Sequence, residues 1–314
     1  MQRIAVLTGI LLAGGAVTAV AAQGLPGIEN IEQVSEHVYK IAGAGGNTVA
    51  FVRSGDVVLV DTKVPGQGEG ILAEVRKITD LPVGMVINTH SHPDHIGSNA
   101  FFADNPGVQV VAQANTAARM AAGGGPFPPA RVDQQFTTYR ELGEGDDRIE
   151  LHWFGAAHTD GDAFVFFPAD RVLMAGDAYA WHMSPLIDPG SGGSMLALPT
   201  TLTAAYYNIP DADTVITGHG DVSTRAEFLS FITFNRGLLQ IAEQTVQTGG
   251  TEDDAMARLN AVPSFAVFMG ADRMPGLEYG GTPRSRARIN LRIAMQELRG
   301  ETPALIMNLP PEEQ

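Results

Sequence analysis

The feature that most constrains this chain is a cluster of four potential metal ligands within six residues, directly after an apolar run. The cluster reads HSHPDH at 90–95, and the run VGMVIN before it has the length and composition of a buried strand. Imidazole and carboxylate groups are the ligands that zinc accepts when thiolates are missing. Packing alone does not explain such a density of them at the end of one strand. The pattern therefore indicates a metal site.

The spacing within this loop favours two metal positions rather than one. In an extended segment alternate side chains point the same way, so His90 and His92 lie on one side. Asp94 and His95 then turn toward a neighbouring point. One loop therefore carries ligands for parts of two sites.

Three more candidate ligands stand in the second half of the chain, each beyond the end of an apolar run. They are His158, Asp177 and His219. Glycines flank His219, which lets the backbone come close to a neighbour. A single histidine after a strand is more often structural, but these candidates, like the first cluster, all follow the end of a predicted strand. We therefore assign them to the same metal site.

The order of apolar runs predicts the fold class. Runs with strand-like composition lie at 38–41, 48–52, 57–60, 83–88, 108–111, 149–154, 163–167, 171–175 and 214–217, and helical spacing occurs at 67–78, 198–207, 223–247 and 283–299. This order predicts an α/β protein with helices packed on mixed sheets. A short likeness between 54–61 and 169–177, where a turn leads into an apolar strand that ends in aspartate, suggests two similar halves packed face to face.

Composition restricts the classes of function. The chain has 314 residues, of which 44% are hydrophobic and 18% charged, as is typical of a soluble globular protein with an ample core. Its formal net charge of -15 argues against a nucleic acid partner, because a phosphate backbone requires a cationic surface. It contains no cysteine, which excludes a disulfide, a thiolate nucleophile and sulfur-ligated zinc. Any metal must be held by nitrogen and oxygen atoms.

The N-terminus predicts export. After Arg3 an uncharged apolar run extends to Val20, and small residues up to Ala22 suit a signal peptidase. A membrane anchor is the competing interpretation, and the glycines within the run weaken it. We expect a signal peptide at 1–22, a periplasmic or secreted protein, and no stable membrane insertion after cleavage.

The remaining boundaries follow from composition. One domain is expected at 23–301, followed by a flexible tail at 302–314 that is rich in Pro and Glu. The Gly/Pro-rich loop at 123–130 is either a lid or a long connection, and the sequence favours neither.

Four motifs, taken together and in this order, resemble the metallo-β-lactamase superfamily of hydrolases. They read HSHPDHIG at 90–97, GAAHTDGD at 155–162, AGD at 175–177 and GHG at 218–220. The resemblance covers roughly 38–224. It implies a four-layer αβ/βα sandwich with two mixed β-sheets and a dinuclear zinc site at the sheet edges.

The resemblance also implies a role for each ligand. His90, His92 and His158 would hold the first metal, Asp94, His95 and His219 the second, and Asp177 would bridge them. Asp61 matches the acidic residue of the family's early strand, and it is expected either to orient a ligand or only to cap a turn. Two zinc ions are the expected cofactors, with iron or manganese as alternatives.

The implied activity is hydrolysis of a small carbonyl substrate, an ester, lactone, thioester or amide, by water held between the metals. Asp94 is expected to orient this water or to carry its proton. Asp177 resembles the glyoxalase-II, lactonase and related ester- or thioester-cleaving branch, because the β-lactamases with histidine ligands usually lack a bridging aspartate there. β-Lactam hydrolysis is the alternative. A mononuclear iron oxygenase and a non-catalytic metal-binding protein are lower-ranked alternatives.

The other titratable candidates are assigned more ordinary roles. His182 is a candidate for the pocket wall, whereas His37 and His152 are expected to be structural. Arg284, Arg286 and Arg288 are expected on a solvated helix face, with contact to a substrate carboxylate as the alternative. The sequence assigns no substrate-binding residue and no oligomeric state.

Overall fold

The computed structural model describes residues 27–123, 128–270 and 283–303. The predicted signal peptide at 1–22, part of the loop at 123–130 and most of the predicted tail at 302–314 lie outside these ranges. Within them, no helix combines the length and the apolarity needed to cross a membrane. The domain boundaries therefore stay predictions.

The first sheet is built from the N-terminal half of the chain. Its seven strands, in spatial order, are β1 (Glu32–Gln33), β2 (Val38–Ile41), β3 (Thr48–Val52), β4 (Val57–Val60), β5 (Val83–Asn88), β6 (Gln109–Gln113) and β7 (Gln134–Phe136). Strands β1 to β4 pair antiparallel, whereas β4 to β7 run parallel. The helices of this half are α1 (Gly68–Val75), α2 (Pro93–Ile96), α3 (Asn99–Ala103) and α4 (Ala114–Ala122).

The second sheet has six strands and comes from the C-terminal half. In chain order they are β8 (Tyr139–Leu142), β9 (Ile149–His152), β10 (Phe164–Phe167), β11 (Val172–Met174), β12 (Thr214–Ile216) and β13 (Val222–Thr224), and this is also their spatial order, with β10 next to β11. Strands β11 and β12 are parallel, and the other neighbours are antiparallel. Its helices are α5 (Leu198–Asn208), α6 (Arg225–Gln247), α7 (Glu252–Asn260) and α8 (Pro283–Leu298).

The two sheets pack face to face over a common apolar core. Alternate residues of a strand point to opposite faces, so Val49 and Phe51 of β3 face the second sheet and Ala50 faces the helices. Phe51 meets Phe167 of β10 with the ring centroids 4.7 Å apart. Burial of such rings is what holds the sheets together.

Helices cover the outer face of each sheet. On the first sheet, Ile71 and Val75 of α1 and Met120 of α4 are buried. On the second sheet, apolar residues of α5 to α8 form one core with the outward side chains of β10 and β11. The order helices, sheet, sheet, helices confirms the predicted four-layer sandwich with two mixed β-sheets.

Some boundaries differ from the prediction for identifiable reasons. The helix predicted at 223–247 begins only after Thr224, because Thr224 and Glu227 form a reciprocal capping box and residues 222–224 pair with β12. The apolar pattern does not predict α4 or α7. Helix α4 is rich in alanine, which gives little hydrophobic contrast, and α7 buries few apolar residues.

Candidate metal centre

The potential ligands lie at one edge of the two sheets, where parallel strands end. Asp61 follows β4, and the loop at 89–95 follows its parallel neighbour β5. Asp177 lies in a short 3-10 turn after β11, and His219 follows β12, which is parallel to β11. Parallel strands bring their carboxyl ends to the same edge of a sheet, so residues that are distant in sequence converge there.

The first group consists of His90, His92 and His158. One ring nitrogen from each lies within 4.8 Å of the others. His158 Nε2 and His92 Nδ1 are 2.9 Å apart. The structure therefore brings together the residues that the resemblance assigns to the first metal.

The second group consists of Asp94, His95 and His219. His219 Nε2 lies 3.1 Å from Asp94 Oδ2, and His95 Nε2 lies 3.6 Å from the same oxygen. The two ring nitrogens are 3.4 Å apart. These are the residues that the resemblance assigns to the second metal.

Asp177 lies between the two groups. Its Oδ1 is 3.2 Å from His95 Nε2, and its Oδ2 is 3.5 Å from His219 Nε2 and 3.7 Å from His158 Nε2. One carboxylate thus faces histidines of both groups, which is the position that a bridging ligand requires.

Asp61 controls two of these rings. Its carboxylate accepts hydrogen bonds from the backbone N–H and the hydroxyl of Thr89, at 2.8 and 2.7 Å, and lies 2.8 Å from His95 Nδ1. Because the Thr89 hydroxyl donates to Asp61, its oxygen is left to accept from His90 Nδ1, 3.0 Å away. Both rings therefore carry their proton on Nδ1 and direct a lone pair from Nε2 into the site.

Two further groups, which the sequence does not single out, orient the other rings. The carbonyl oxygen of Leu186 accepts a hydrogen bond from His158 Nδ1, and Asp188 Oδ2 lies 2.9 Å from His92 Nε2. A carbonyl and a carboxylate oxygen accept, so each ring donates outward and keeps its other nitrogen bare. Neither residue belongs to a motif, because both act from an irregular segment that only the fold brings to the site.

The residues present fit a divalent metal at each group. Bare nitrogens of His158 and His92 face each other at 2.9 Å, an arrangement that is repulsive unless a cation lies beside them. Among the described residues, His90 Nε2 and Asp177 Oδ1 are buried without a hydrogen-bond partner. A metal ion would satisfy both atoms. The donor set of imidazole and carboxylate suits zinc, iron or manganese.

Four of the ligand candidates have pKa shifts that favour the form that binds metal. Burial raises the pKa of Asp177 and of Asp94, but the charges of His95 and His219 outweigh it and hold both pKa values below the ordinary range. Burial lowers the pKa of His158 to about 4 and the pKa of His90 well below its usual value. Ionised carboxylates and neutral imidazoles are the forms that bind metal.

The site as a whole attracts positive charge. Burial lowers the pKa of His95, yet the carboxylates of Asp177, Asp94 and Asp61 raise it well above its ordinary value. The pKa of His92 is also raised despite burial, because Asp188 accepts a hydrogen bond from it. Buried carboxylates need a compensating cation, and a divalent metal supplies one without protonating the ligands.

The contacts of Asp61 predict a measurable effect on metal affinity. Asp61→Asn keeps the left-handed backbone (φ 63°), which asparagine tolerates, but removes the charge and sets an N–H₂ group against donors. We expect the ion at the second group to bind about 10- to 100-fold more weakly. The measurement is competition for zinc with a chromophoric chelator. Asp56→Asn is the control, because Asp56 pairs with Arg53 away from the site, and equal affinities in the two variants would contradict the orienting role.

The remaining histidines pair with carboxylates apart from the metal centre. His37 lies 3.2 Å from Asp170, His152 lies 3.2 Å from Glu150 and His182 lies 3.4 Å from Glu227, in each case from a ring nitrogen to a carboxylate oxygen. Within the described residues, none of these histidines belongs to a group of potential metal ligands. For His37 and His152 this agrees with the structural role predicted.

The prediction of a solvated arginine face on α8 is wrong for Arg286. Arg288 pairs with Glu252 and Arg284 donates to Asn260, as expected of a helix surface. Arg286 is 5% exposed. Burial lowers its pKa, and the charge of Asp177 partly offsets this. Helix α8 packs against both α6 and α7, so its inward side chains are covered, which periodicity alone does not reveal.

Comparisons with known proteins agree with this geometry. A family model described as the metallo-beta-lactamase superfamily matches residues 42–219, which include all the ligand candidates. Metallo-beta-lactamase IND-1 from Chryseobacterium indologenes is 26% identical over 194 residues, covering 59% of this chain and 78% of that protein.

Solved structures show the same fold. A metallo-beta-lactamase from Pontibacter korlensis superposes with a TM-score of 0.56 and 21% identity, covering 66% of this chain and 99% of that one. The sec-alkylsulfatase Pisa1 from Pseudomonas sp. superposes with a TM-score of 0.67 and 17% identity, covering 85% of this chain and 50% of that one. At such identities the likeness concerns the fold alone. The family match and the converging ligands together show that the chain belongs to the metallo-beta-lactamase superfamily of zinc-dependent hydrolases.

Proposed function

We propose that this chain is an exported hydrolase with two zinc ions that cleaves a small ester, lactone, thioester or amide. His90, His92 and His158 would hold one ion, and Asp94, His95 and His219 the other. The observation that carries the proposal is the position of Asp177, whose two oxygens face histidines of both groups at 3.2 to 3.7 Å. A carboxylate placed in this way supports two adjacent ions rather than one.

Bound zinc supplies two kinds of chemistry here: it lowers the pKa of water to about 7, and it withdraws electron density from a substrate oxygen. The chain's own residues set where this chemistry takes place. His90, His95 and His158 are buried, whereas the side chain of Asp94 is 35% exposed. Among the ligand candidates, Asp94 is thus the most accessible to substrate and water.

We assign the proton transfer to Asp94. Its Oδ2 faces His95 and His219, and Oδ1 is the atom that we assign to take a proton from the attacking water and return it to the leaving group. The lowered pKa of Asp94, in which His95 and His219 outweigh burial, keeps it ionised before the reaction. Asp61 and Asp188 hold the rings of His95 and His92 and take no part in bond making.

β-Lactam hydrolysis is the second candidate, and one observation favours it. The sequence relative from Chryseobacterium indologenes is a metallo-beta-lactamase that this chain covers over 78% of its length. The Pseudomonas structure that matches 85% of this chain is a sec-alkylsulfatase, which adds a secondary alkyl sulfate to the substrates worth testing. We rank carbonyl substrates other than β-lactams first, because Asp177 stands where the β-lactamases with histidine ligands usually lack an aspartate.

Hydrolysis by the mature protein, residues 23–314, tests the proposal. The protein is loaded with zinc and assayed with an ester, a lactone, a thioester, an amide, a chromogenic cephalosporin and a secondary alkyl sulfate. We expect turnover of at least one of the first four, its loss on treatment with a chelator, and its return when zinc is added back. Cleavage of the cephalosporin alone would establish the second candidate. Two bound zinc ions with none of the substrates cleaved would refute hydrolysis and favour a non-catalytic role.

Export is supported by the sequence pattern at 1–22. We expect the protein expressed with its own N-terminus in a Gram-negative host to appear in the periplasm or the medium and to begin at Gln23. N-terminal sequencing and cell fractionation measure this. A full-length chain retained in the membrane fraction would instead establish the run as an anchor.

A further inference from the structure

We propose that helix α8 positions His92 and His158 of the first group through the segment at 184–196, called here the linking segment. This inference rests on the proposed metal site and adds residues that no family motif contains. The matched family region ends at residue 219, whereas α8 spans Pro283–Leu298. The helix would therefore act on the metal centre from outside the region that carries the ligands.

The middle of the linking segment touches two ligands of the first group. Leu186 accepts the hydrogen bond from His158 Nδ1, and Asp188 accepts the one from His92 Nε2 at 2.9 Å. The backbone N–H of Asp188 also donates to the carbonyl oxygen of His158, at 2.9 Å. These contacts set both the tautomer and the orientation of each ring.

The turn after Asp188 fits closely against His158. The backbone N–H groups of Ser191 and Gly193 donate to the Asp188 carbonyl, at 3.1 and 2.8 Å. A Cβ on Gly193 would lie 2.1 Å from the carbonyl oxygen of His158. A displacement of this turn therefore cannot leave the His158 backbone and the Asp188 side chain unchanged.

Helix α8 holds the linking segment at both ends. Asn290 Nδ2 donates to Ser184 Oγ at 2.9 Å and to the Pro185 carbonyl at 2.7 Å. Glu297 Oε2 accepts from the backbone N–H groups of Met195 and Leu196, both at 3.0 Å. Residues seven apart lie on the same face of a helix, about two turns from each other, so one rigid element sets both ends.

The linking segment has little structure of its own. Apart from the short 3-10 turn Pro189–Ser191, it forms neither helix nor strand. Asn290 is fully buried, and its side chain donates to the segment rather than to α8 itself. Burying an amide without hydrogen bonds costs free energy, and the bonds to the linking segment offset that cost for Asn290.

The second group is held by a different part of the chain. The backbone N–H of Gly46 donates to the carbonyl of Asp94 at 3.0 Å, and that of Asn47 donates to the carbonyl of Gly218 at 2.7 Å. A Cβ on Gly46 would lie 2.3 Å from the ring of His95. Because the loop at 42–47 contacts the second group, a defect in α8 should weaken metal binding at the first group and leave the second group unchanged.

Zinc affinities of the mature chain test the proposal. Glu297→Ala and Asn290→Ala remove the contacts at either end of the linking segment. Glu252→Gln is the matched control, because Glu252 binds Arg292 of α8 from α7 and not the linking segment. His158→Ala serves as the reference for loss of the metal position at the first group. Successive zinc dissociation constants are measured by competition with a chromophoric chelator, and absorption of the cobalt-substituted protein reports the coordination of each ion.

We expect the Glu297 and Asn290 variants to bind the ion lost in His158→Ala about 10-fold more weakly, with the other ion unaffected. The control should bind both ions as the wild type does. Asn290 is buried, so Glu297→Ala, at a partly buried position, is the informative variant if Asn290→Ala does not fold. Wild-type affinity in a folded Glu297→Ala protein, or equal weakening of both ions, would overturn the inference. Failure of the wild type to bind metal would instead refute the proposed function.

Discussion

Asp94→Ala is expected to lower kcat by about 10²- to 10⁴-fold, because the variant loses the residue assigned to proton transfer. Asp94 Oδ2 also lies 3.1 Å from His219 Nε2, so the second metal position loses one of its ligand candidates. We therefore expect the protein to retain less than two equivalents of metal. The measurements are kcat and KM with the substrate that the hydrolysis assays identify, together with elemental analysis of the purified protein.

A control variant tests whether the effect is specific to the ligand candidates. His37→Ala should leave turnover and metal content close to wild type, since His37 pairs with Asp170 and, within the described residues, belongs to no group of potential metal ligands. Asp94→Asn distinguishes the two roles of Asp94, because the amide keeps an oxygen ligand but does not transfer a proton. Wild-type turnover in Asp94→Ala would refute the assigned role.

Lys63→Met is expected to lower the free energy of unfolding by about 3 kcal/mol, because three carbonyls lose their donor at about 1–3 kcal/mol each, and this loss exceeds the cost of burying the ammonium, which the variant removes. Lys63 is fully buried, and its ammonium donates to the carbonyls of Ile41, Gly43 and Gly46, at 2.7, 2.8 and 2.9 Å. Methionine keeps the apolar stem. The three carbonyls belong to the end of β2 and the loop that holds the second ligand group.

The measurement is the urea unfolding transition of the metal-free mature protein at pH 6. This pH lies below the pKa of Lys63, which burial lowers to about 7, so the charged form with three donors is present. Lys77→Met is the control, since the side chain of Lys77 is 49% exposed and its ammonium pairs with Glu74. Such a pair contributes about 0–1 kcal/mol. Equal stability losses in the two variants would show that the buried ammonium has no special role.

Most of the strands that build the fold were predictable because they are short, apolar and clearly bounded. Runs such as 57–60 and 83–88 end at the residues where β4 and β5 end. The helices α4 and α7 were less visible, because alanine and charged residues give a weak apolar pattern even when a helix is buried by its surroundings. Propensity is local, whereas burial depends on what packs against the segment.

The ligand candidates were also predictable, for a chemical reason. Metal ligands must be residues of a few types, and the loop at 90–95 concentrates them where a strand ends. Asp61 was visible by its position after β4. Asp188 was not, because a single aspartate in an irregular segment carries no pattern, and Arg286 was misplaced because its burial depends on the neighbours of α8.

The sequence by itself determined which ligand atoms a metal site in this protein can use: nitrogen and oxygen without sulfur, placed after apolar strands. Only the tertiary structure decided how the ligands are oriented. Asp61, Asp188 and Leu186 accept the hydrogen bonds that orient the rings of His95, His92 and His158, and each bond joins residues from 28 to 96 positions apart. Such bonds form only when sheets and helices pack, because their partners are brought together by burial of apolar surface and not by local spacing.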